Sequence, residues 1–145
     1  MRKKIVVLTI TIIVLFIFYL TPISTSLLYS YFGFHVLYIQ SGSMEPTIEI
    51  GEAVIIQKQE NYEKGDIVTY YTQEKYLVTH RIQRKDEEGY KTKGDHNNRE
   101  DIEIVEKEKI QGKVIFHAKW LGILIQYKWI VIVILWLLLL IGMYI

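Results

Sequence analysis

Two uncharged apolar stretches enclose a middle segment in which apolar and charged positions alternate over short distances. After Met1-Arg2-Lys3-Lys4 the chain is apolar over residues 5–20, about 24 Å as a helix, and it stays uncharged to residue 34. This predicts a retained membrane anchor, because the run exceeds the usual core of a cleavable leader, about 7 to 15 residues. The basic start and the following Pro22-Ile23-Ser24-Thr25-Ser26 also suit a cleavable leader, so both readings stand at this point. At the other end residues 129–145 carry no charge. Residues 121–127 extend that helix backwards if Lys128 snorkels to the headgroups, with Trp120, Tyr127 and Trp129 at the interface. Arg2, Lys3 and Lys4 predict a cytoplasmic N-terminus, an extracytoplasmic middle and a cytoplasmic C-terminus.

The middle has no long helical period. Short runs rich in Val, Ile and Tyr predict strands at about 35–40, 53–58, 66–72, 76–83, 90–93 and 110–116. Turns are expected at Ile50-Gly51-Glu52, Lys64-Gly65, Gln73-Glu74-Lys75 and across residues 85–89. The organisation expected is therefore an N-terminal anchor and interfacial segment over 1–34, a mainly β domain over 35–118, and a C-terminal transmembrane helix over 119–145. So small a domain has a thin core, and the anchors and the bilayer help to hold it in place.

Composition narrows the chemistry. Every acidic residue lies between Glu45 and Glu108, where Lys and Arg are interleaved with them, and the formal net charge of the 145 residues is +1. Such a surface offers no basic stripe for nucleic acid. The chain has no cysteine, which excludes disulfides, thiolate catalysis and Cys-ligated zinc. No internal repeat or low-complexity linker is present.

The most informative stretch is Ser41-Gly42-Ser43-Met44-Glu45-Pro46-Thr47, directly after the first predicted strand. A serine in a turn before proline is ordinarily just a turn residue. Further along come Leu77-Val78-Thr79-His80-Arg81-Ile82 and Lys93-Gly94-Asp95-His96-Asn97-Asn98-Arg99-Glu100-Asp101. Serine, histidine and aspartate thus occur in an order compatible with a triad, in which imidazole activates a hydroxyl that is otherwise a weak nucleophile.

SGSMEPT, GDIV at residues 65–68, VTHR at 78–81 and KGDHNN at 93–98 together resemble the signal peptidase I family. The resemblance is to the branch of the endoplasmic reticulum, archaea and spore-forming Gram-positive bacteria, which uses histidine where other members use lysine. It implies a small antiparallel β domain flanked by two transmembrane helices, and a membrane-bound serine endopeptidase that removes leaders on the extracytoplasmic side. By the same resemblance Ser43 is the nucleophile and His80 the general base. Asp101 is the favoured partner of His80, with Asp95 as the other candidate for that role or for holding the loop. The Ser43 N–H and the Ser41 hydroxyl are the implied oxyanion donors. No metal or organic cofactor is implied. The implied partners are the lipid bilayer and secretory preproteins with small residues before the cut, with further membrane subunits left open and no nucleic acid.

The remaining polar residues are given blander roles. His96 reads as a solvated loop histidine, and His35 and His117 as flanking residues without a catalytic part. Tyr70-Tyr71 reads as strand packing, and residues 86–88 and 100–109 as solvated loops. Lys75, Lys85 and Lys93 do not align with the base position, and Gly51-Glu52 stands where relatives commonly have Gly-Asp. Two rival readings remain: a catalytically silent membrane assembly factor, and a membrane-tethered serine peptidase that cleaves a regulator.

Overall fold

In a computed structural model, the alternating middle of the chain forms seven strands in one antiparallel sheet. The residues described are 9–11 and 33–144, apart from a number of side chains in the last helix. The strands are β1 (Phe34–Tyr38), β2 (Ala53–Gln57), β3 (Ile67–Tyr71), β4 (Leu77–Asp86), β5 (Gly89–Lys93), β6 (Ile104–Val105) and β7 (Ile110–Ala118), in the order β1-β2-β7-β3-β4-β5-β6. A 26-residue helix, α1 (Lys119–Tyr144), follows β7 directly.

Six of the strands stand where the apolar pattern predicts them. The seventh, β6, lies in the stretch 100–109 that reads as solvated loop, and this is a correction. Ile104 and Val105 pair with Lys91 and Tyr90, and Val105 is buried. Two apolar residues among charges are too few to show a period, and only a neighbouring strand edge makes them a strand. Strand β4 also runs on to Asp86, beyond the predicted end at residue 83, since backbone pairing with β5 is indifferent to charged side chains on an exposed ribbon.

The domain packs around two apolar clusters. One lies against β3 to β6 and comprises Tyr62, Val68, Tyr70, Ile82, Tyr90, Val105 and Ile110. The other, Ile39, Met44, Ile48, Val54 and Ile56, lies against β1 and β2. Strand β7 is shared, pairing with β2 on one side and β3 on the other. At that junction Gly112 is a requirement, because a Cβ there would sit 2.8 Å from the backbone carbonyl carbon of Gln57.

The chain divides into two units, one of them Gly33–Ile125, which holds the whole sheet and the first turns of α1. Within it Lys119 pairs with Glu49 at 2.7 Å and His117 with Glu52 at 2.6 Å. Gly122 lies so close to the Gly51 carbonyl that no side chain fits between them. In the other unit the Trp136 indole donates to Thr11 Oγ1 at 3.3 Å. The first predicted span lies outside the described residues except for 9–11, which are helical. Among the described residues no helix is long and apolar enough to cross a membrane.

Gly112→Ala is expected to destabilise the domain by about 1–3 kcal/mol, the usual cost of forcing extra atoms into a close-packed site. Thermal unfolding of the purified protein reads this directly, and an unchanged midpoint would show that β2 and β7 separate freely.

Candidate functional site

Ser43 sits in a single 3₁₀ turn, Gly42–Met44, directly after the segment that continues β1. The next residue, Met44, is 1% exposed and plugs the β1–β2 cluster, so packing holds the serine backbone while its hydroxyl remains accessible. Ser41 precedes the turn in an extended conformation and its side chain makes no capping bond. Its hydroxyl lies 3.5 Å from that of Ser43.

His80 comes from the middle of β4. Strand periodicity of two places Val78, His80 and Ile82 on one face, and the β3–β4 register sets Val68 opposite His80 and Tyr70 opposite Val78. Val68, Tyr70 and Ile82 all belong to the larger core cluster, so the imidazole stands at its margin, nearly buried. Its Nε2 lies 3.1 Å from Ser43 Oγ and its Nδ1 lies 2.7 Å from Asp101 Oδ2. With Nδ1–H donating to the carboxylate, Nε2 is left to accept the Ser43 proton.

Asp101 lies beyond β5 in the following loop, and its own N–H donates to the Thr92 carbonyl at 2.8 Å. The same Oδ2 that meets His80 also accepts from Thr92 Oγ1 at 2.7 Å and from the Tyr70 hydroxyl at 3.1 Å. Burial works to raise the carboxyl pKa, but the hydrogen bonds from His80, Thr92 and Tyr70 outweigh it and hold Asp101 below the usual carboxylate range. Asp101 is therefore an anion beside the imidazole. Burial, the largest influence on Tyr70, pushes its phenol up, so it serves as a neutral donor.

Asp95 is engaged elsewhere. Its two oxygens take a forked pair of bonds from Arg81, at 2.8 and 2.6 Å, and Thr47 Oγ1 donates to it at 2.6 Å. The Arg81 guanidinium is the main reason its carboxyl stays low. Arg81 also donates to the Gly65 carbonyl at 2.9 Å. The VTHR, KGDHNN, SGSMEPT and GDIV boxes are thereby fastened together at one point. Of the two aspartates weighed as partner for His80, the structure brings Asp101 to the ring and places Asp95 in this clamp.

The KGD turn also reaches the serine itself. His96 N–H donates to the Ser43 carbonyl at 2.9 Å, and a Cβ on Gly94 would stand 2.5 Å from that same oxygen. Only glycine permits the approach. The His96 side chain is exposed, His117 is paired with Glu52, Lys75 occupies the β3–β4 turn, and Lys85 lies over the Tyr90 ring. Tyr70 and Thr92 are the site residues that sequence reasoning passed over. Their signal is a polar group at an inward strand position, which means little until the register is known.

A groove opens at the serine, lined by Leu37, Tyr38 and Ile39 on one side and by Leu77, Val78 and His80 on the other. A second depression continues past His80 along residues 96–103. Among the described residues no cluster of His, Asp and Glu has the makings of a metal site.

Residues 21–115 match the Peptidase S24-like family, well over half of the chain. Signal peptidase I W of Bacillus subtilis is 32% identical over 89 residues, covering 57% of this chain and 47% of that protein. The signal peptidase complex catalytic subunit SEC11 of Metarhizium robertsii is 29% identical over 114 residues, covering 66% of each. SEC11 of Candida tropicalis is 34% identical over 80 residues, covering 51% of this chain and 48% of that protein. The chain thus spans about half to two thirds of the length of these relatives. With the whole sheet up to β7 inside the matched region and signal peptidases among its relatives, the chain belongs to the Peptidase S24-like family.

Proposed function

We propose that this chain is a serine endopeptidase that removes leader peptides from exported preproteins, with Ser43 as nucleophile, His80 as general base and Asp101 as the partner of His80. The observation that carries the reading is the unbroken line of contacts from Ser43 Oγ through His80 to Asp101. His80 Nε2 takes the hydroxyl proton as Ser43 Oγ attacks the scissile carbonyl, and the imidazolium is stabilised by the adjacent carboxylate. The Ser43 N–H and the Ser41 hydroxyl receive the oxyanion. His80 then protonates the departing amine, and a water activated by the same imidazole hydrolyses the acyl-enzyme.

The groove supports a peptide substrate in an extended conformation. Its walls are the backbone that continues β1 and the start of β4, and strand-like pairing with such walls binds main chain rather than particular side chains. Leu37, Ile39 and Val78 give the groove an apolar lining, and small residues before the cut are the substrate pattern proposed for it. Asp95, Arg81 and Thr47 serve to hold the two motif loops in register.

A membrane location completes the reading, and it rests on the sequence of the two apolar ends. By sequence, residues 121–127 and 129–145 form an apolar stretch interrupted only by Lys128, about the 20 residues that a hydrocarbon core of about 30 Å requires. Its sequence is uncharged from residue 129 on, and side chains such as Ile123, Leu124, Ile130 and Val133 are exposed. A second anchor in residues 1–34, a catalytic domain over 35–118 and a final anchor over 119–145 place the serine on the extracytoplasmic face, where leaders emerge.

Ser43→Ala and His80→Ala are each expected to lower kcat by about 10⁴-fold or more on a purified preprotein, with folding unchanged, because a triad fails as a unit. Substantial turnover in either variant would overturn the assignment. A covalent serine label that stays off wild-type Ser43 would point to a silent scaffold, and equal cleavage of peptides with bulky residues before the cut would point to another peptidase. Gly94→Ala is expected to cost about 100-fold in kcat by displacing the Ser43 carbonyl, along with about 1–3 kcal/mol of stability, so its rate is measured at a temperature where the variant is fully folded. A wild-type rate would show that the KGD turn does not position the nucleophile.

A further inference from the structure

We propose that Tyr70 and Thr92 are positioning residues that tune His80 by holding Asp101 through a single oxygen, a role that rests on the peptidase reading above. Three donors converge on Asp101 Oδ2: His80 Nδ1 at 2.7 Å, Thr92 Oγ1 at 2.7 Å and the Tyr70 hydroxyl at 3.1 Å. The two hydroxyl oxygens lie 3.1 Å apart, and each has one proton to give. With both protons directed to the carboxylate, the hydroxyls share the charge that would otherwise face the imidazole alone.

Three neighbouring strands supply the arrangement. Tyr70 of β3, His80 of β4 and Thr92 of β5 present their side chains to the same face. The register shift between Ile82 and Arg84 is what makes this so for Thr92. If the pairing of Asp86 with Gly89 continued without it, Thr92 would stand opposite Gln83 and face away from His80. Thr92 holds Asp101 twice, by its hydroxyl and through its carbonyl, which accepts the Asp101 N–H. Tyr70 and Thr92 are both buried, so water does not replace either hydroxyl readily.

The other polar groups around the pair are engaged elsewhere. Arg81 on β4 is bound to Asp95 of the loop, Glu100 to Arg84, and Glu103 accepts from the Gln73 N–H. From the 3₁₀ turn Ser43 meets Nε2, and His96 lines the adjoining depression. Among the described residues none of Arg81, Asp95, His96, Glu100 and Glu103 makes a hydrogen bond to the His80 ring or the Asp101 carboxylate. The two hydroxyls are therefore the groups that share the carboxylate with the imidazole.

The bland alternative is that Tyr70 and Thr92 are buried hydroxyls satisfied by a convenient carboxylate. The two readings differ in pH behaviour. Removing a donor leaves Asp101 more charge to offer the imidazolium, so His80 holds its proton to higher pH and the acid limb of kcat/KM moves up. Tyr70→Phe and Thr92→Val, which keep volume, are each expected to move that limb up by about half a unit, and the double variant by about one. Thr92→Ser, with its hydroxyl restored, should return the limb to the wild-type position. A lowered rate with an unmoved limb, or a limb that moves down, overturns the proposal. NMR titration of the His80 ring in a Ser43→Ala background measures the same shift without turnover. It remains decisive with Tyr70→Phe alone if Thr92→Val does not fold. Turnover retained by Ser43→Ala would sink the peptidase reading, whereas an unmoved His80 titration sinks only the role of the two hydroxyls.

Discussion

The hydrogen bond from His96 N–H to the Ser43 carbonyl ties the KGD turn to the turn that carries Ser43. Ser43 is held from below by Met44 in one apolar cluster, while His80 stands at the margin of the other. Side chains built on different clusters, as Ser43 and His80 are, stay in hydrogen-bond reach if, besides the shared strand β7, something fixes one loop against the other. The KGD turn does so, with Gly94 admitting the backbone approach and Asp95 gripping Arg81 and Thr47. Forked bonds between arginine and carboxylate define an angle as well as a distance, which a single contact would not.

The same economy governs the Asp101 carboxylate. Burying an anion is costly unless hydrogen bonds compensate, and here three donors do so on one oxygen. The opposing influences on its pKa, burial against hydrogen bonding, resolve in favour of the charged form. An imidazole next to a charged carboxylate is held in one tautomer and one orientation, with Nε2 turned toward Ser43.

At the far side of the sheet the start of α1 is locked to the β1–β2 turn by Gly122 against Gly51, with Lys119 on Glu49. The first turns of the helix therefore belong to the same compact unit as the sheet. Membership of the Peptidase S24-like family accounts for the sheet, and the family match ends at residue 115, within β7.

What the sequence by itself determined is what local pattern can express: two apolar ends, six of the seven strands, and four motif boxes in order. Period-two alternation and turn residues act within a few positions of one another, so they are legible without any partner. Strand β6 escaped because two apolar residues acquire meaning only beside β5. The choice between Asp95 and Asp101 likewise belonged to the tertiary structure, because both lie in one polar loop and either could have closed on His80. The course of that loop commits Asp95 to Arg81 and carries Asp101 back to Thr92, beside the His80 ring. The presence of Tyr70 and Thr92 at the carboxylate depended on strand register and on one bulge. A single-residue slip would have turned Thr92 to the opposite face while leaving every local pattern in the sequence unchanged.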